Sequence, residues 1–426
     1  MSKFQLSILI IFGVFLVGGV IVFSVYRGNS TPTANVTIWG SISQIDFENI
    51  LSDNELTQNK QVQIKYQYIP EEDFDAKFVE ALAAGQGPDL FVLSSDKIMK
   101  HSNKAYVVPF SAYTERTFKD SFIEGSEIFT TPKGMLALPI AVDPLVMYWN
   151  RSIFTTAKVT VPPKYWDEFY NLANQISQKD GALNIKRSAV ALGEYSNIVH
   201  AKDIFANLAM QAGTPITAWD GNRVRSVFAD AFNKPVIPGE SSLIYYTEFS
   251  NPAKASYSWN RSLPNSFNYF LGGDLAIYFG FASEIRQIQL RNPNLNFDVA
   301  LVPTPREGGV NVSFGRFYGL AITKASKNPN AAFVASMLLT DRTRSAKIAE
   351  TLVLPPVRRD LLAVRQERAY SSVFFDSAIR SRAWLDPEPS QSNDVFKNMI
   401  ESVTSGRARV AEALSRASRE LDALMQ

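Results

Sequence analysis

Apolar and polar positions alternate with two different periods in the first part of the chain. The β-branched and aromatic run 35–39 and the period-two run 61–69 predict strands, and the short apolar run 89–93 predicts a third, buried strand. Residues 71–84 predict a helix, because acids precede apolar side chains that recur every three or four positions. Strands and helices in this order predict a parallel sheet covered by helices.

Polar and aromatic residues mark the carboxyl ends of two of these strands. Trp39 and Ser41 follow the first strand, and Ser94 follows the third. Ligands of parallel α/β sheets bind beyond the carboxyl ends of the strands, so we expect these three side chains at a ligand site. Core packing of Trp39 fits the sequence equally well. Ser43, in contrast, is expected to cap the helix that follows it.

The apolar stretch at residues 135–154 contains Pro139, Asp143 and Pro144 in its middle. Proline lacks the N–H that a central strand donates, and an unpaired buried carboxylate is costly. The stretch therefore predicts a strand that bends, leaves one sheet and directs Asp143 towards something polar. The alternative for this acid is a buried cap or a salt-bridge partner.

Similar patterns continue to the end of the chain. Strands are expected at 275–281, 296–302 and 317–323, and helices at 330–339 and 410–425. A chain of 426 residues is too long for one ordinary core, so two domains are expected.

The chain begins with an uncharged apolar run, from Phe4 to Tyr26, which is about the length that spans a bilayer. We therefore predict a membrane anchor at residues 1–27 and a polar linker at 28–35. The rest of the chain would lie outside the cytoplasm, held at the cell membrane. A cleaved signal peptide is the alternative, although its apolar core is usually shorter.

Charge and composition disfavour several function classes. The 43 Lys and Arg residues nearly balance the 41 Asp and Glu residues, so no overall positive field indicates nucleic-acid binding. With no cysteine and only two histidines, neither a metal nor another cofactor is expected. No hydrolase or phosphate-loop motif occurs, and only Asp143 is a convincing site acid, whereas a glycosidase needs two facing carboxylates. We therefore expect no enzyme activity.

Five short motifs are spread over most of the chain after residue 36. They are 84–91 (AGQGPDLF), 138–150 (LPIAVDPLVMYWN), 162–169 (PPKYWDEF), 273–277 (GDLAI) and 354–359 (LPPVRR). Each motif alone is common, but in this order the five resemble the extracellular solute-binding proteins of ABC importers. The resemblance is to family 1, the branch that includes the maltose-binding proteins.

The resemblance implies a type II periplasmic-binding-protein-like fold, an α/β fold of two lobes with the ligand in the cleft between them. Each lobe would be a sheet flanked by helices. The first lobe would combine residues 36–142 and 319–364, and the second lobe residues 143–318 and 365–426. Three segments would cross between the lobes: 138–150, 315–320 and 361–370.

The resemblance also implies which residues bind the ligand. Asp143 would face the cleft and accept hydrogen bonds from ligand hydroxyls. Aromatic faces suit the C–H-rich faces of sugar rings, and core packing is the alternative for each of them. The aromatic candidates beyond the first lobe are Trp259, Phe281 and Trp384. The family's last stacking aromatic maps near Asn393 and Asp394, which argues against a maltodextrin-like ligand.

Together these expectations describe a binding protein. A monomeric body would capture a solute outside the cytoplasm, a mono- or oligosaccharide first and a polyol, glycerophosphodiester or other small anion second. It would deliver the solute to the permease subunits of an ABC importer while its N-terminal helix holds it at the membrane. A membrane-tethered glycosidase and a surface sugar receptor or adhesin without a transporter are the alternatives.

Overall fold

The computed structural model describes residues 34–221, 223–364 and 369–425. The predicted anchor and most of the predicted linker lie outside the described residues, as does part of the third predicted crossing. Among the residues described, no helix is both long enough and apolar enough to cross a bilayer.

Strands are distributed along the whole described chain. They are β1 (Ala34–Gly40), β2 (Val62–Tyr68), β3 (Leu90–Ser94), β4 (Val108–Pro109), β5 (Thr130–Thr131), β6 (Gly134–Met135), β7 (Ala137–Asn150), β8 (Gln178–Lys179), β9 (Ile185–Val190), β10 (Thr217–Asp220), β11 (Arg223–Ser226), β12 (Leu275–Phe281), β13 (Phe297–Ala300), β14 (Ser313–Ile322) and β15 (Ser381–Arg382).

Helices fill most of the intervals between the strands. They are α1 (Gln44–Leu51), α2 (Asn54–Thr57), α3 (Glu71–Ala83), α4 (Ile98–His101), α5 (Glu115–Ser121), α6 (Arg151–Thr156), α7 (Glu168–Ile176), α8 (Ala201–Gln211), α9 (Pro238–Glu248), α10 (Ser266–Leu271), α11 (Ile285–Arg291), α12 (Pro329–Leu339), α13 (Arg342–Leu352), α14 (Arg359–Leu362), α15 (Ser371–Arg380), α16 (Pro389–Thr404) and α17 (Val410–Leu424). Short 3₁₀ turns at Ser95–Lys97 and Ala282–Glu284 follow β3 and β12.

The first strands form the predicted parallel arrangement. β1 pairs in parallel with β2 on one side and with β3 on the other. The Ser43 side chain accepts a hydrogen bond of 3.1 Å from the backbone N–H of Asp46, which confirms its predicted role as the cap of α1. The carboxyl ends of β1, β2 and β3 therefore lie at one edge of the sheet.

The proline-containing stretch forms a single buried strand, β7. It pairs antiparallel with β14 as far as Pro144 and with β12 and β13 from Leu145 onwards. Pro139 and Pro144 lie opposite Gly319 and Gly315 of β14. The pairing has a register irregularity next to Gly319, where Pro139 has no N–H to donate. Because β7 and β14 remain paired, the expected two sheets are joined into one ten-stranded sheet in the order β2-β1-β3-β14-β7-β12-β9-β8, with β13 and β15 at its side.

The buried side chains nevertheless form two separate clusters. One extends from Val36 to Val142 and resumes at Phe317, and the other extends from Leu145 to Phe314 and includes helices α16 and α17. We call the bodies around these clusters the first and the second lobe. β7 and β14 are the strands that pass from one cluster to the other, since each contributes side chains to both.

Candidate ligand-binding cleft

A cleft between the two lobes consists of two adjoining cavities. The cavity on the first lobe has a volume of about 430 Å³, and the cavity on the second lobe has a volume of about 530 Å³. Asp96 and Arg316 line both cavities, so the cavities meet at these two side chains. We call this meeting point the neck of the cleft.

The first-lobe wall is built from strand ends. It includes Ser41 after β1, Tyr68 at the end of β2 and Ser94 at the end of β3, together with Tyr318 of β14. The parallel pairing of β1 with β2 and β3 places the first three at the same edge of the sheet. The Tyr68 side chain is exposed, at 45% of its full accessible area. This wall therefore offers hydroxyl groups and an aromatic ring to a ligand.

Charged residues of the first-lobe wall come from the start of α3 and from the turn after β3. Lys97 forms ion pairs with Glu71 at 2.5 Å and with Asp75 at 3.2 Å. Burial alone would lower the pKa of Lys97, but these two carboxylates raise it above its ordinary value. Asp96 differs, because its Oδ1 is buried and accepts no hydrogen bond from any described residue. The Asp96 residue itself lines both cavities.

The second-lobe wall is built from helix starts. Helices α8 and α16 both begin at the cleft. His200, Lys202 and Asp203 come from the start of α8, and Pro389, Asn393 and Lys397 come from successive turns of α16. The unsatisfied N–H groups of a helix N-terminus favour electron-rich ligand atoms. Tyr195 also lines this wall and donates a hydrogen bond of 3.0 Å to Asn393 Oδ1.

Lys202 is held in place by its neighbours. Its Nζ donates to Asp386 Oδ2 at 2.8 Å and to Ser392 Oγ at 3.0 Å, and it lies 5.7 Å from the centroid of the Trp384 ring. Burial raises the pKa of Asp386, although Lys202 and Ser392 oppose this effect. Trp384 thus supports a charged group of the wall from below, with only 5% of its own surface exposed.

His200 connects the second-lobe wall to the end of β12. Its Nε2 shares a short hydrogen bond with Glu284, and its Nδ1 lies 3.7 Å from Asp203 Oδ2. The Tyr278 hydroxyl donates to the other Glu284 oxygen at 2.6 Å. Burial would raise the pKa of Glu284, but the hydrogen bonds from His200, Tyr278 and the Phe281 N–H bring it below its ordinary value.

Arg316 projects into the neck from the crossing strand β14. Its Nη2 donates to Asp203 Oδ2 at 2.8 Å, and its Cζ lies 4.3 Å from the centroid of the Phe281 ring. Burial would lower the pKa of Arg316, but its neighbours, above all Asp203, raise it. About a third of the Arg316 side chain, 33%, is exposed.

Asp143 lies opposite Arg316 in the pairing of β7 with β14. It is only 5% exposed, and its Oδ1 accepts a hydrogen bond of 3.0 Å from the Ser283 N–H. Burial raises the pKa of Asp143 to about 6, against the opposing effects of Ser283 and Arg316. The structure places this acid behind the neck as a cap of the Ala282–Glu284 turn, which is the alternative that the sequence left open.

The predicted site residues fall into two groups. Ser41 and Ser94 line the first-lobe cavity. Trp39 is partly buried against the first-lobe core, and Trp259 is fully buried in the second-lobe core, where its Nε1 donates to Asn197. Phe281 and Trp384 are also buried, and each lies beneath a charged side chain of the cleft rather than in its lining.

Sequence reasoning missed most polar residues of the cleft. The turn at Asp96 directly follows a predicted strand, so the rule that pointed to Ser94 also applies to it. Tyr68 is the penultimate residue of the predicted strand 61–69, so its place at the carboxyl end of a strand also pointed to the ligand site. Arg316 and Tyr195 had no comparable local signal, because neither lies at the end of a parallel strand.

A family model described as bacterial extracellular solute-binding protein matches residues 46–341 of the chain. A binding protein of Brucella abortus (strain 2308) is 22% identical over 382 residues, which is 87% of this chain and 87% of the relative.

Solved structures have the same fold. A cyclo/maltodextrin-binding protein complexed with maltotetraose superimposes with a TM-score of 0.75 at 16% identity, over 92% of this chain and 98% of that chain. The sugar-binding protein of the phytopathogen Xanthomonas citri superimposes with a TM-score of 0.74 at 19% identity, over 92% and 97% of the two chains. These similarities confirm the predicted two-lobed α/β fold.

Proposed function

Because the chain belongs to the bacterial extracellular solute-binding proteins, we propose that it is the substrate-binding component of an ABC importer. It captures a carbohydrate outside the cytoplasm, between its two lobes, and delivers it to a permease in the membrane. The observation that carries the proposal is the cleft, in which polar side chains of both lobes face one space at the strands that join them.

The composition of the cleft supports a carbohydrate. Serine hydroxyls, carboxylates and a guanidinium provide donors and acceptors for sugar hydroxyls, and the exposed Tyr68 ring suits a sugar face. Among proteins of this fold, the cyclo/maltodextrin-binding protein is complexed with maltotetraose, and the Xanthomonas citri protein is a sugar-binding protein. Asn393 remains at the position where the family's stacking aromatic is expected, so we place maltodextrins behind other saccharides.

Lobe closure is the proposed mechanism. The lobes that we propose combine residues 36–142 with 319–364 and residues 143–318 with 365–426. The separate buried clusters support this division except at Phe317 and Ala378, which pack in the first-lobe cluster. Closure brings the two walls together around the ligand, and contacts to both walls stabilise the closed state. The body acts as a monomer, and the N-terminal helix holds it at the membrane.

A thermal-shift screen tests the proposal. Residues 34–426 are incubated with neutral saccharides, polyols and glycerophosphodiesters, and a saccharide at 100 times its Kd is expected to stabilise the folded protein by about 2.7 kcal/mol. Small-angle scattering should show that the same saccharide makes the protein more compact. Binding without compaction contradicts closure, and hydrolysis of a bound saccharide contradicts a transport role in favour of a glycosidase.

Capture of permease subunits distinguishes an importer component from a receptor that feeds no transporter. Full-length protein is purified from its native membrane with and without the bound saccharide. Co-purification of ABC permease subunits supports delivery, and saccharide binding without any such partner favours the surface receptor.

A further inference from the structure

We propose that Lys100 and Glu388 form an ion pair that holds the two walls of the cleft together and so favours the arrangement that binds ligand. We call this pair the interlobe latch. The inference rests on the proposed function and deepens it, because it names residues that control lobe closure. Neither residue lines either cavity of the cleft, so both are positioning residues that act without touching the ligand.

The latch joins two segments that lie 288 positions apart in the chain. Lys100 Nζ lies 2.8 Å from Glu388 Oε1. Lys100 belongs to α4, and its neighbours Lys97 and His101 line the first-lobe cavity. Glu388 directly precedes α16, whose first residue, Pro389, lines the second-lobe cavity. One ion pair therefore connects the two walls beside the space that a ligand would fill.

The first-lobe end of the latch is fixed by Asp75 of α3. Its Oδ2 accepts from Lys100 Nζ at 2.8 Å, and its Oδ1 lies 3.0 Å from His101 Nε2. An ammonium group has three donors, so Lys100 can bind Asp75 and Glu388 at the same time. Only 28% of the Lys100 side chain is exposed, and a partly buried pair is screened by salt less than a surface pair is. Lys100 is therefore held in a position to reach across the lobes.

The second-lobe end is fixed by the residues around Glu388. Asp386 Oδ2 accepts from Lys202 of α8 at 2.8 Å and from Ser392 of α16 at 2.9 Å. The Ser390 hydroxyl donates to Glu388 Oε1 at 3.3 Å, and 21% of the Glu388 side chain is exposed. The segment that carries Glu388 is thus tied to two helices of the second lobe and moves with them.

A separate cavity shows that apolar packing does not replace the latch on the other side of α4. Ile98 and Met99 line a cavity of about 590 Å³ together with Trp219 and Val224 of the second lobe. A space of this size leaves the facing apolar side chains without close contact, so they contribute little dispersion energy across it. The ion pair is therefore expected to carry much of the interaction between α4 and the second lobe.

Opening of the cleft breaks the latch, because its two partners belong to different walls and are already at hydrogen-bond distance. Lys100 keeps Asp75 when the walls separate, whereas Glu388 loses the ammonium group that pairs with it. An interaction made in only one of two arrangements shifts the population towards that arrangement. The apparent ligand affinity rises with the fraction of molecules in the competent arrangement. The latch should therefore raise the affinity for any ligand that contacts both walls.

Distance measurement between spin labels tests the latch without a ligand. The chain has no cysteine, so labels can be attached at Val79→Cys on α3 and Asn398→Cys on α16, two exposed positions on helices that begin at opposite walls. Double electron–electron resonance on the full-length protein in detergent should show a larger separated population in Glu388→Gln and in Lys100→Gln. The ratio of separated to closed molecules should rise about 3- to 10-fold, between the effects of an exposed ion pair and of a buried hydrogen bond to a charged group.

Two further variants separate the latch from a general effect of charge or folding. Lys77→Gln removes an ion pair of 3.0 Å with Asp73 inside α3, and it should leave the distances unchanged. The double variant of Lys100→Gln and Glu388→Gln should shift the ratio no further than Lys100→Gln alone, because both substitutions remove one interaction. Identical distances in the wild type and both single variants overturn the inference. Independent, additive shifts also overturn it, since they show that the two residues do not act as a pair.

Titration calorimetry with mannotriose and maltotetraose measures the consequence for binding. Glu388→Gln should bind these saccharides about 3- to 10-fold more weakly than the wild type, although it removes no group from the lining of the cleft. Tighter binding by this variant overturns the inference, because the pair would then favour the separated arrangement. If neither saccharide binds the wild type, the proposed carbohydrate function fails, and the distances measured without ligand still decide the latch.

Discussion

The two walls of the cleft use aromatic residues in opposite ways. On the first-lobe wall, Tyr68 presents its ring at the surface, with 45% of the side chain exposed. On the second-lobe wall, Phe281 and Trp384 lie buried beneath Arg316 and Lys202 and hold these cations in place. An aromatic residue near a ligand site can therefore serve recognition without touching the ligand, by supporting the charged group that does.

The walls also differ in how the chain builds them. The first-lobe wall is formed by the carboxyl ends of neighbouring parallel strands. Its residues can therefore be predicted from one local rule, that ligands bind beyond these strand ends. The second wall joins the starts of α8 and α16, which are far apart in sequence. Four predictions test this contrast between the walls, in order of decreasing expected effect.

Trp259→Ala is expected to have the largest effect, on stability rather than on binding. The ring is fully buried in the second-lobe core, so its removal should lower the free energy of unfolding by about 3–5 kcal/mol. Urea denaturation measures this change. Trp219→Ala is the matched control, because Trp219 is 54% exposed and its loss should cost within about 0.5 kcal/mol. A folded, fully stable Trp259→Ala protein with lost saccharide binding would make Trp259 a ligand residue after all.

Asp143→Asn should change the pH dependence of stability. The pKa of Asp143 is raised from 3.8 to about 6, so the folded protein holds this proton more tightly than the unfolded chain. The wild type should therefore gain stability relative to the variant as the pH falls from 7 to 4, by up to about 3 kcal/mol at about 1.4 kcal/mol per pKa unit. Urea denaturation at each pH measures the difference.

Asp180→Asn provides the control for this pH series. Hydrogen bonds from Asn184 lower the pKa of Asp180 from 3.8 to about 2, so its favourable contribution is fully present above 3.8 and is lost as the pH falls from there through about 2. The stability difference between wild type and this variant should stay nearly constant from pH 7 to pH 5. A similarly flat difference for Asp143→Asn would mean that Asp143 is not held in a desolvated position behind the neck.

Tyr68→Ala should weaken saccharide binding by about 10-fold, since a stacked aromatic contact contributes about 0.5–1.5 kcal/mol beyond its buried area. Its thermal midpoint should stay near that of the wild type, because the ring is largely exposed. Calorimetry with the best saccharide measures the affinity. Tyr106→Ala, at another exposed tyrosine of the first lobe, should leave the affinity unchanged. Equal affinities for both variants would remove Tyr68 from the site.

Two serines on one loop give the smallest and most selective effects. Ser41 lines the cleft, so Ser41→Ala should weaken binding by about 3- to 10-fold, as for one neutral hydrogen bond, with little loss of stability. Ser43 caps α1, so Ser43→Ala should lower the free energy of unfolding by about 1 kcal/mol and leave the affinity unchanged. Thermal unfolding and calorimetry on both variants measure these effects. If Ser41→Ala lowered the stability and Ser43→Ala weakened binding, the assignment of the first-lobe wall would be contradicted.

The five motifs were sufficient to predict the family, and periodicity predicted the parallel pairing of β1 with its neighbours and the serines at the strand ends that line the cleft. These features are local, since each depends on residues close together in the chain and on the fixed geometry of strands and helices. Local patterns could not predict the burial of Trp259, Phe281 and Trp384, because an aromatic residue suits a core and a sugar site equally well. Arg316 and Asp203, which are 113 positions apart, meet only where the second lobe folds against the crossing strand. The neck of the cleft thus depends on long-range packing, to which no local pattern in the chain corresponds.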